Sequence, residues 1–161
     1  MQVFASLDEL LHAHASADGP LPLGTGEWHE VTQHAVDLFA EATGDHQWIH
    51  TDPERAASGP FGGTIAHGYL TLSLLPLLMR TVYRVDGLRM AVNYGSNNVR
   101  FPAPLPVGSR VRAHAELLCT VAKSGGQQLT VRATIEREHP EGGADARPVC
   151  VAETLAILYR A

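Results

Sequence analysis

The chain has 161 residues, of which 45% are hydrophobic and 18% are charged, and its formal net charge is −5 at pH 7. This length and composition are typical of one folded domain and exclude a disordered or fibrous chain. No basic stretch offers a surface that could follow phosphates, so we expect no nucleic-acid partner.

The sequence also limits the compartment. Its first residues lack a basic segment followed by a continuous apolar one, so we expect a cytoplasmic protein. The longest apolar run, residues 69–79, is shorter than the ~20 residues of a membrane span, and we expect no membrane partner. Cys119 and Cys150 each lie in a strand-like segment, which predicts two reduced, buried thiols and neither a disulfide nor a cysteine zinc site.

The chain begins with a helix signal. Ser6 followed by Glu9 is a capping-box pattern and predicts a short amphipathic helix. The Gly- and Pro-rich stretch after it predicts a loop. We interpret residues 1–25 as a helical appendage on a single domain that spans residues 1–161.

A second predicted helix leads into a short connection. Residues 27–31 have the pattern of a short strand, after which Thr32 suits the N-cap of a helix and Gly44 its C-terminal end. Asp52 followed by Pro53 predicts the start of another short helix. The connection between the two helices is therefore fixed at both ends.

An apolar segment and four strand-like segments make up the rest. Residues 65–84 are apolar on nearly all sides, which predicts a mostly buried helix that Pro76 kinks or deprives of one hydrogen bond. Four alternating segments follow at residues 88–101, 109–121, 127–138 and 148–160. Consecutive strands predict an antiparallel sheet and an α+β fold, and one sheet cannot cover such a helix, so we expect a homodimer.

The fixed connection carries titratable groups. Asp45 and His50 could together hold one water, as activation of water for addition or hydrolysis requires. The same two residues also fit a structural role in a turn and a buried hydrogen bond. A metal site of Asp45, His46, His50 and His67 is a weaker alternative, because no His-Glu-x-x-His arrangement occurs, and we predict no metal.

A second set of residues opens the apolar segment. Backbone N–H groups in the first turn of a helix have no intrahelical partner and can hold an oxyanion, and Gly68 would let a ligand approach closely. Tight packing at Gly68 and capping by His67 are the structural alternatives. Trp48, Phe61 and Tyr69 could line an acyl pocket or pack in the core. No Gly-x-Ser-x-Gly elbow, Walker loop or complete Gly-x-Gly-x-x-Gly occurs.

Together, the segment FAEATGDHQWIHTDPERAASGPFGGTIAHGYLTLSLLP resembles the signature of the MaoC-like (R)-specific enoyl-CoA hydratases, a family that includes nodulation-type dehydratases. The signature is Gly-Asp, four residues, His, then Asp, and later a His-Gly that opens the central helix. The resemblance continues through NYGSNNVRFPAPLPVGSRV and covers most of residues 27–159. It implies the hot-dog fold, in which an antiparallel sheet wraps a long helix, usually in a dimer.

The resemblance also implies residue roles. Asp45 and His50 match the catalytic pair, and Gly68 matches the glycine whose N–H stabilises the thioester oxygen. The implied reaction adds water to one face of a trans-2-enoyl-CoA and gives (R)-3-hydroxyacyl-CoA reversibly, with CoA as part of the substrate and no separate cofactor. Asp45 would be the principal base, while His50 would orient the water and return a proton to the α carbon. The residues expected to contact the substrate are Trp48, Phe61, His67 and Tyr69.

Two positions depart from the commonest family pattern. Gln47 and Trp48 stand where many relatives have Asn-Pro, which makes this wall bulkier. Pro76 stands where many relatives have a serine that supports the catalytic acid. The bulkier wall leaves the acyl preference open, and the support of Asp45 either comes from another residue or is absent.

Two other functions fit the same resemblance. An acyl-CoA thioesterase could use this fold, since fold alone does not assign chemistry. Many hot-dog thioesterases place their acid on the central helix, but no Asp or Glu occurs from His67 through Arg84, which lowers this alternative. A non-catalytic acyl-CoA-binding protein, in which Asp45 and His50 are only structural, is the second alternative.

Overall fold

The computed structural model describes residues 1–123 and 125–161. Its elements are, in chain order, β1 (Gln2–Phe4), α1 (Leu7–Ala15), β2 (Leu21–Thr25), β3 (His29–Glu30), α2 (Gln33–Thr43), α3 (Trp48–Thr51), α4 (Pro53–Ala57), α5 (Gly68–Ser73), α6 (Leu75–Val82), β4 (Tyr83–Val85), β5 (Leu88–Arg100), β6 (Arg110–Lys123), β7 (Gly126–Arg137) and β8 (Cys150–Arg160).

One six-stranded antiparallel sheet dominates the fold. Its strands lie in the order β2, β6, β7, β8, β5, and β3 also pairs with β6. The four long strands confirm the antiparallel sheet predicted from the alternation. Every second residue of β6 and β7 is buried over much of their length, so one face of the sheet covers the core. Helix α6 contacts β6 and helix α5 contacts β8 on the covered side.

The N-terminal segment is a built-in part of this core. Ser6 Oγ accepts the N–H of Glu9 and caps α1 as predicted. The predicted loop after α1 is wrong, however, because β2 pairs with β6 in the main sheet. Leu23 is fully buried there. Pro22 obscures this short alternation in the sequence, and the structure tolerates it because β2 is an edge strand.

The central apolar segment forms two short helices. α5 and α6 are separated at Leu74, shortly before Pro76, which has no N–H to donate and therefore interrupts the helical hydrogen bonds. The predicted disturbance at Pro76 is thus confirmed.

The predicted bounds of this helical segment are too wide. Ile65 forms a bridge with Pro106, and extended pairing of this kind keeps the chain out of the helix until Gly68. At the other end β4 pairs in parallel with β1, so the helix stops at Val82. Both ends are set by pairing with distant segments.

The two cysteines differ in environment. Cys150 is buried, and desolvation raises the pKa of its thiol to about 11. Cys119 is exposed, so the prediction of two buried thiols is wrong for this residue. β6 continues past the edge of the core after Leu117, where the register also shifts.

Among the helices of the described residues, none combines the length and apolar character needed to cross a bilayer.

Candidate active site

Asp45 lies directly after helix α2, whose two ends are fixed as predicted. Thr32 accepts the N–H of Ala35 as the N-cap, and Gly44 ends the helix with a φ of 77°, in the left-handed region that glycine tolerates. The Asp45 side chain is 55% exposed, and its Oδ1 accepts the N–H of Gln47 at 3.4 Å. The carboxylate is therefore accessible from solvent but fixed at its backbone.

His50 is carried by α3, a single turn that the sequence did not predict. Asp52 accepts the N–H of Arg55 at 3.0 Å and starts α4 with Pro53, which confirms the predicted capping. In α3 the N–H of His50 donates to the carbonyl of Gln47 at 2.9 Å. This turn directs His50 inward, where the residue is only 7% exposed.

One backbone contact orients the His50 imidazole. Its Nδ1 lies 2.6 Å from the carbonyl oxygen of Ile65. Because a carbonyl oxygen only accepts, Nδ1 carries a proton, and Nε2 of the neutral ring keeps its lone pair.

Burial lowers the pKa of His50 below its ordinary value of 6.5. The hydrogen bond to Ile65 opposes this shift, nearby His67 adds to it, and the carboxylate of Asp45 opposes it. The net effect favours a neutral ring at pH 7. Nε2 of His50 can therefore accept a hydrogen bond or a proton.

His67 joins the two parts of the pair. Its ring stacks on that of His50, with centroids 3.9 Å apart and planes at 28°. Its Nε2 donates to the carbonyl oxygen of Asp45 at 2.9 Å. Its Nδ1 is buried and has no hydrogen-bond partner within the described part of the chain. His67 thus fixes the main chain at Asp45 through a hydrogen bond and the plane of the His50 ring through stacking.

The three groups converge on a small volume. Side-chain oxygen and nitrogen atoms of Asp45, His50 and His67 lie within 4.8 Å of one another. One water fits between two such groups, since hydrogen bonds to it are about 2.8 Å long. A metal bound at Nε2 of His67 would replace the hydrogen bond that this nitrogen donates to the carbonyl of Asp45. The side chain of His46, the other candidate ligand, is 52% exposed beside Glu41. The hydrogen bonds favour a water held by a carboxylate and an imidazole.

A cavity of about 260 Å³ opens beside His50. Its wall is largely apolar and includes Gly68, Thr71, Phe101, Leu105 and Val149. An apolar cavity with a few convergent polar groups suits a substrate with a hydrocarbon chain and one reactive polar group.

Gly68 stands where the cavity meets α5. As the first residue of this helix, it has an N–H without an intrahelical acceptor. The ring of Phe101 packs against it so closely that an added Cβ would lie 3.1 Å from two ring atoms. Only glycine fits at this position without displacing the aromatic ring, and this leaves the amide at the cavity wall.

Residues 21–139 match the family model described as a MaoC like domain. The chain belongs to the MaoC-like domain family. This MaoC-like chain is 52% identical over 156 residues to 3-hydroxyacyl-thioester dehydratase Z of Mycobacterium tuberculosis (strain ATCC 25618 / H37Rv), covering 96% of this chain and 97% of that protein. It is 41% identical over 155 residues to nodulation protein N of Rhizobium leguminosarum bv. viciae, covering 92% of this chain and 93% of that one.

A solved structure supports the same fold. R-Hydratase PhaJ1 from Pseudomonas aeruginosa aligns with the MaoC-like chain at a TM-score of 0.66 and 21% identity, covering 92% of this chain and 86% of that one. The architecture is the hot-dog fold, and both the family and the fold implied by the sequence resemblance are confirmed.

The predicted substrate-contacting aromatics of the MaoC-like chain lie mainly near its surface. Trp48 is half-buried, with the guanidinium of Arg55 at 4.5 Å from its ring. Phe61 is 45% exposed and Tyr69 is 73% exposed. Tyr69 packs edge-on against Phe101 with ring centroids 6.5 Å apart. Contact of these residues with substrate stays a prediction, as it does for His67.

Sequence reasoning missed part of the cavity wall. The segment after β5, from Phe101 to Leu105, contributes to the lining, and so does Val149 before β8. The Val-Arg-Phe stretch was part of the family resemblance, but no motif marked the apolar side chains of this segment as functional. The packing of Phe101 against Gly68 could not be inferred from the sequence, because it is established only in the folded chain.

Proposed function

We propose that this chain catalyses the reversible addition of water to trans-2-enoyl-CoA thioesters, giving (R)-3-hydroxyacyl-CoA. The observation that carries the proposal is the convergence of Asp45 and His50 beside an apolar cavity that Gly68 also lines. The name of the relative 3-hydroxyacyl-thioester dehydratase Z supports the thioester and the reaction class. The choice of CoA and of the (R) product follows the family resemblance.

The water is bound by two acceptors. The carboxylate of Asp45 accepts one of its hydrogens, and Nε2 of the neutral His50 ring accepts the other. The hydrogen bond from Nδ1 to the carbonyl of Ile65 fixes the tautomer that this arrangement requires. The water oxygen is then free to face the β carbon of the enoyl group.

One imidazole can carry the proton through the whole reaction. As the water oxygen bonds to the β carbon, His50 takes a proton from the water and the C=C electrons move toward the thioester oxygen. The amide N–H of Gly68 donates to that oxygen and stabilises the enolate. The imidazolium, stabilised by Asp45, then returns the proton to the α carbon on the same face.

This division of labour differs from the one implied by the resemblance. There, Asp45 was the principal base, and His50 oriented the water and returned a proton to the α carbon. Burial favours the neutral His50 ring instead, so the ring is the better initial acceptor. The scheme needs no metal or cofactor beyond the CoA of the substrate.

We also keep a cytoplasmic location, since both cysteines are free thiols.

The decisive assay incubates the protein with trans-2-enoyl-CoAs of increasing chain length. Loss of the conjugated enoyl absorbance measures hydration, and release of free CoA thiol is measured in parallel. We expect hydration without thiol release. Thiol release without hydration would assign the chain to the thioesterases, and tight binding without either reaction would assign a non-catalytic role.

Gly68→Ala tests the proposed oxyanion donor. The added Cβ would lie 3.1 Å from the Phe101 ring, so either the ring or the start of α5 must shift. A shift of α5 changes the direction in which the N–H of residue 68 points. We expect kcat for hydration to fall by about 10- to 100-fold, below the full loss of an oxyanion-hole donor. Gly63→Ala is the matched control, because a Cβ there meets no described atom within 4 Å. Equal losses in both variants would contradict the role of Gly68.

The proposal includes a homodimer formed through β5. This strand lies at one edge of the sheet, and residues 90–98 contain no charged side chain. Long uncharged edges can pair with another chain, and two copies of β5 would satisfy each other about a twofold axis. Apolar side chains that are at least 42% exposed on β5 and the central helices are Tyr69, Leu77, Met90, Val92 and Tyr94.

Light scattering on the purified protein tests this interface. We expect a dimer for the unaltered chain and a shift toward monomer for Tyr94→Lys, because a charge is then placed on the shared edge. Leu38→Lys changes a similarly exposed apolar residue on α2 and is expected to leave the dimer intact. A monomeric unaltered chain at micromolar concentration would sink the proposed dimer.

A further inference from the structure

Gln33 makes a polar contact with the site that the proposed chemistry does not use. It is the first residue of α2, and its Nε2 donates to the carbonyl oxygen of His50 at 2.7 Å. The same nitrogen donates to Oδ1 of Asp37 at 2.8 Å. Its Oε1 accepts the hydroxyl of Thr64 at 2.7 Å. Both Thr64 and His50 are buried, so one amide connects α2, α3 and the extended segment before α5.

The contacts of Gln33 with the His50 carbonyl and with Thr64 both bear on the position of His50. Thr64 directly precedes Ile65, whose carbonyl oxygen accepts Nδ1–H of His50 at 2.6 Å. The N–H of Ile65 also donates to the carbonyl of Ile49, beside His50, at 3.0 Å. Gln33 therefore fixes the main chain of His50 and, through Thr64, the segment that orients its ring.

A primary amide is suited to this task. It presents a donor and an acceptor side by side, so it can bind a carbonyl and a hydroxyl at the same time. A carboxylate at this position would place a negative oxygen against the carbonyl of His50. The segment that Gln33 holds contains Ile65, whose carbonyl orients the His50 ring, and reaches Gly68 three residues later. The same segment therefore positions both the imidazole of His50 and the amide of Gly68.

We propose that Gln33 is a positioning residue that sets the orientation of the His50 imidazole relative to the Gly68 amide. The inference rests on the proposed function, in which His50 carries the proton. A residue that only fastened α2 to the core would affect unfolding, whereas a positioning residue affects kcat at temperatures where the fold is intact.

Kinetics of Gln33→Met test the first consequence. Methionine has a similar length and no amide, and small displacements of a catalytic group can cost about 100-fold in rate. We expect kcat for enoyl-CoA hydration to fall by about 10- to 100-fold, while KM stays within about threefold, since the cavity wall is unchanged. Gln33→Glu keeps the shape but loses the donor to His50, and we expect a loss at least as large.

Two further variants complete the kinetic test. Thr64→Val removes only the hydroxyl arm, so it should lower kcat with the same unchanged KM, and it replaces Gln33→Met if that variant does not fold. His34→Met is the matched control, because His34 is the exposed next residue of the same helix. Unchanged kcat in the Gln33 and Thr64 variants, or an equal loss in His34→Met, would overturn the inference.

Nitrogen-15 NMR of the histidines gives a readout that needs no substrate. We expect His50 of the unaltered protein in the Nδ1–H form, and a mixture of tautomers with faster Nδ1 proton exchange in Gln33→Met. An unchanged His50 signal in Gln33→Met overturns the inference even if the unaltered enzyme hydrates enoyl-CoA. If no enoyl thioester is hydrated, the proposed function fails, and the tautomer comparison still decides whether Gln33 positions His50.

Discussion

His50→Gln is expected to lower kcat for hydration of trans-2-enoyl-CoA by about 100-fold or more, the range of general acid–base catalysis. Glutamine keeps an N–H that can donate toward the carbonyl of Ile65, but it has no basic nitrogen to take a proton from water. Loss of enoyl absorbance measures kcat, and the unfolding midpoint Tm verifies that the fold is retained.

His46→Gln is the matched control for this substitution. The His46 side chain is 52% exposed and takes no part in the proposed proton transfer, so we expect nearly unaltered kcat. A loss as large as that of His50→Gln would instead favour the metal site considered from the sequence.

The pH profile of the unaltered enzyme also tests His50 as the initial proton acceptor. Burial lowers the pKa of His50, the hydrogen bond to Ile65 opposes the shift, His67 adds to it, and Asp45 opposes it. With its pKa below 6.5, the ring is more than half neutral at pH 6.5, and the midpoint of its protonation lies in more acidic solution. The acidic limb of kcat/KM should therefore have its midpoint below pH 6.5. A decline centred above pH 6.5 would contradict His50 as the initial acceptor.

Asp45→Asn is expected to lower kcat by about 100-fold or more, because an amide neither accepts from the water as strongly nor stabilises the imidazolium. The fold should be retained, since the side chain is 55% exposed and His67 binds the main-chain carbonyl, which the substitution keeps. Hydration kinetics and Tm are the measurements. Glu41→Gln changes a nearby acid whose side chain is 77% exposed and should leave kcat unaltered.

The double variant of Asp45 and His50 tests whether they act as one unit. If both hold the same water, the combined loss should be close to that of the more damaging single variant, because the second change removes nothing further. Losses that multiply would show independent actions. Normal turnover in both single variants would restore the purely structural interpretation of the pair.

The sequence by itself determined the local architecture of this protein. Ser6, Thr32 and Asp52 were recognisable as helix caps because each bonds an N–H only three residues away. Gly44 and Pro76 marked a helix end and a helix break through their own backbone properties. Alternation predicted the long strands, and the spacing of Asp45, His50 and Gly68 matched a known signature. Such features depend on residue type and short spacing, so they can be inferred without coordinates.

Tertiary structure alone decided how these parts act together. The tautomer of His50 depends on a carbonyl 15 residues away, and the backbone of Asp45 depends on His67, 22 residues away. Phe101 packs against Gly68, which lies far from it in the sequence. Strand β2 and the start of α5 were mispredicted for the same reason, because their hydrogen bonds go to distant segments. Short-range patterns carry no information about such partners, and the partners fix which atoms face the water and which protonation state meets it.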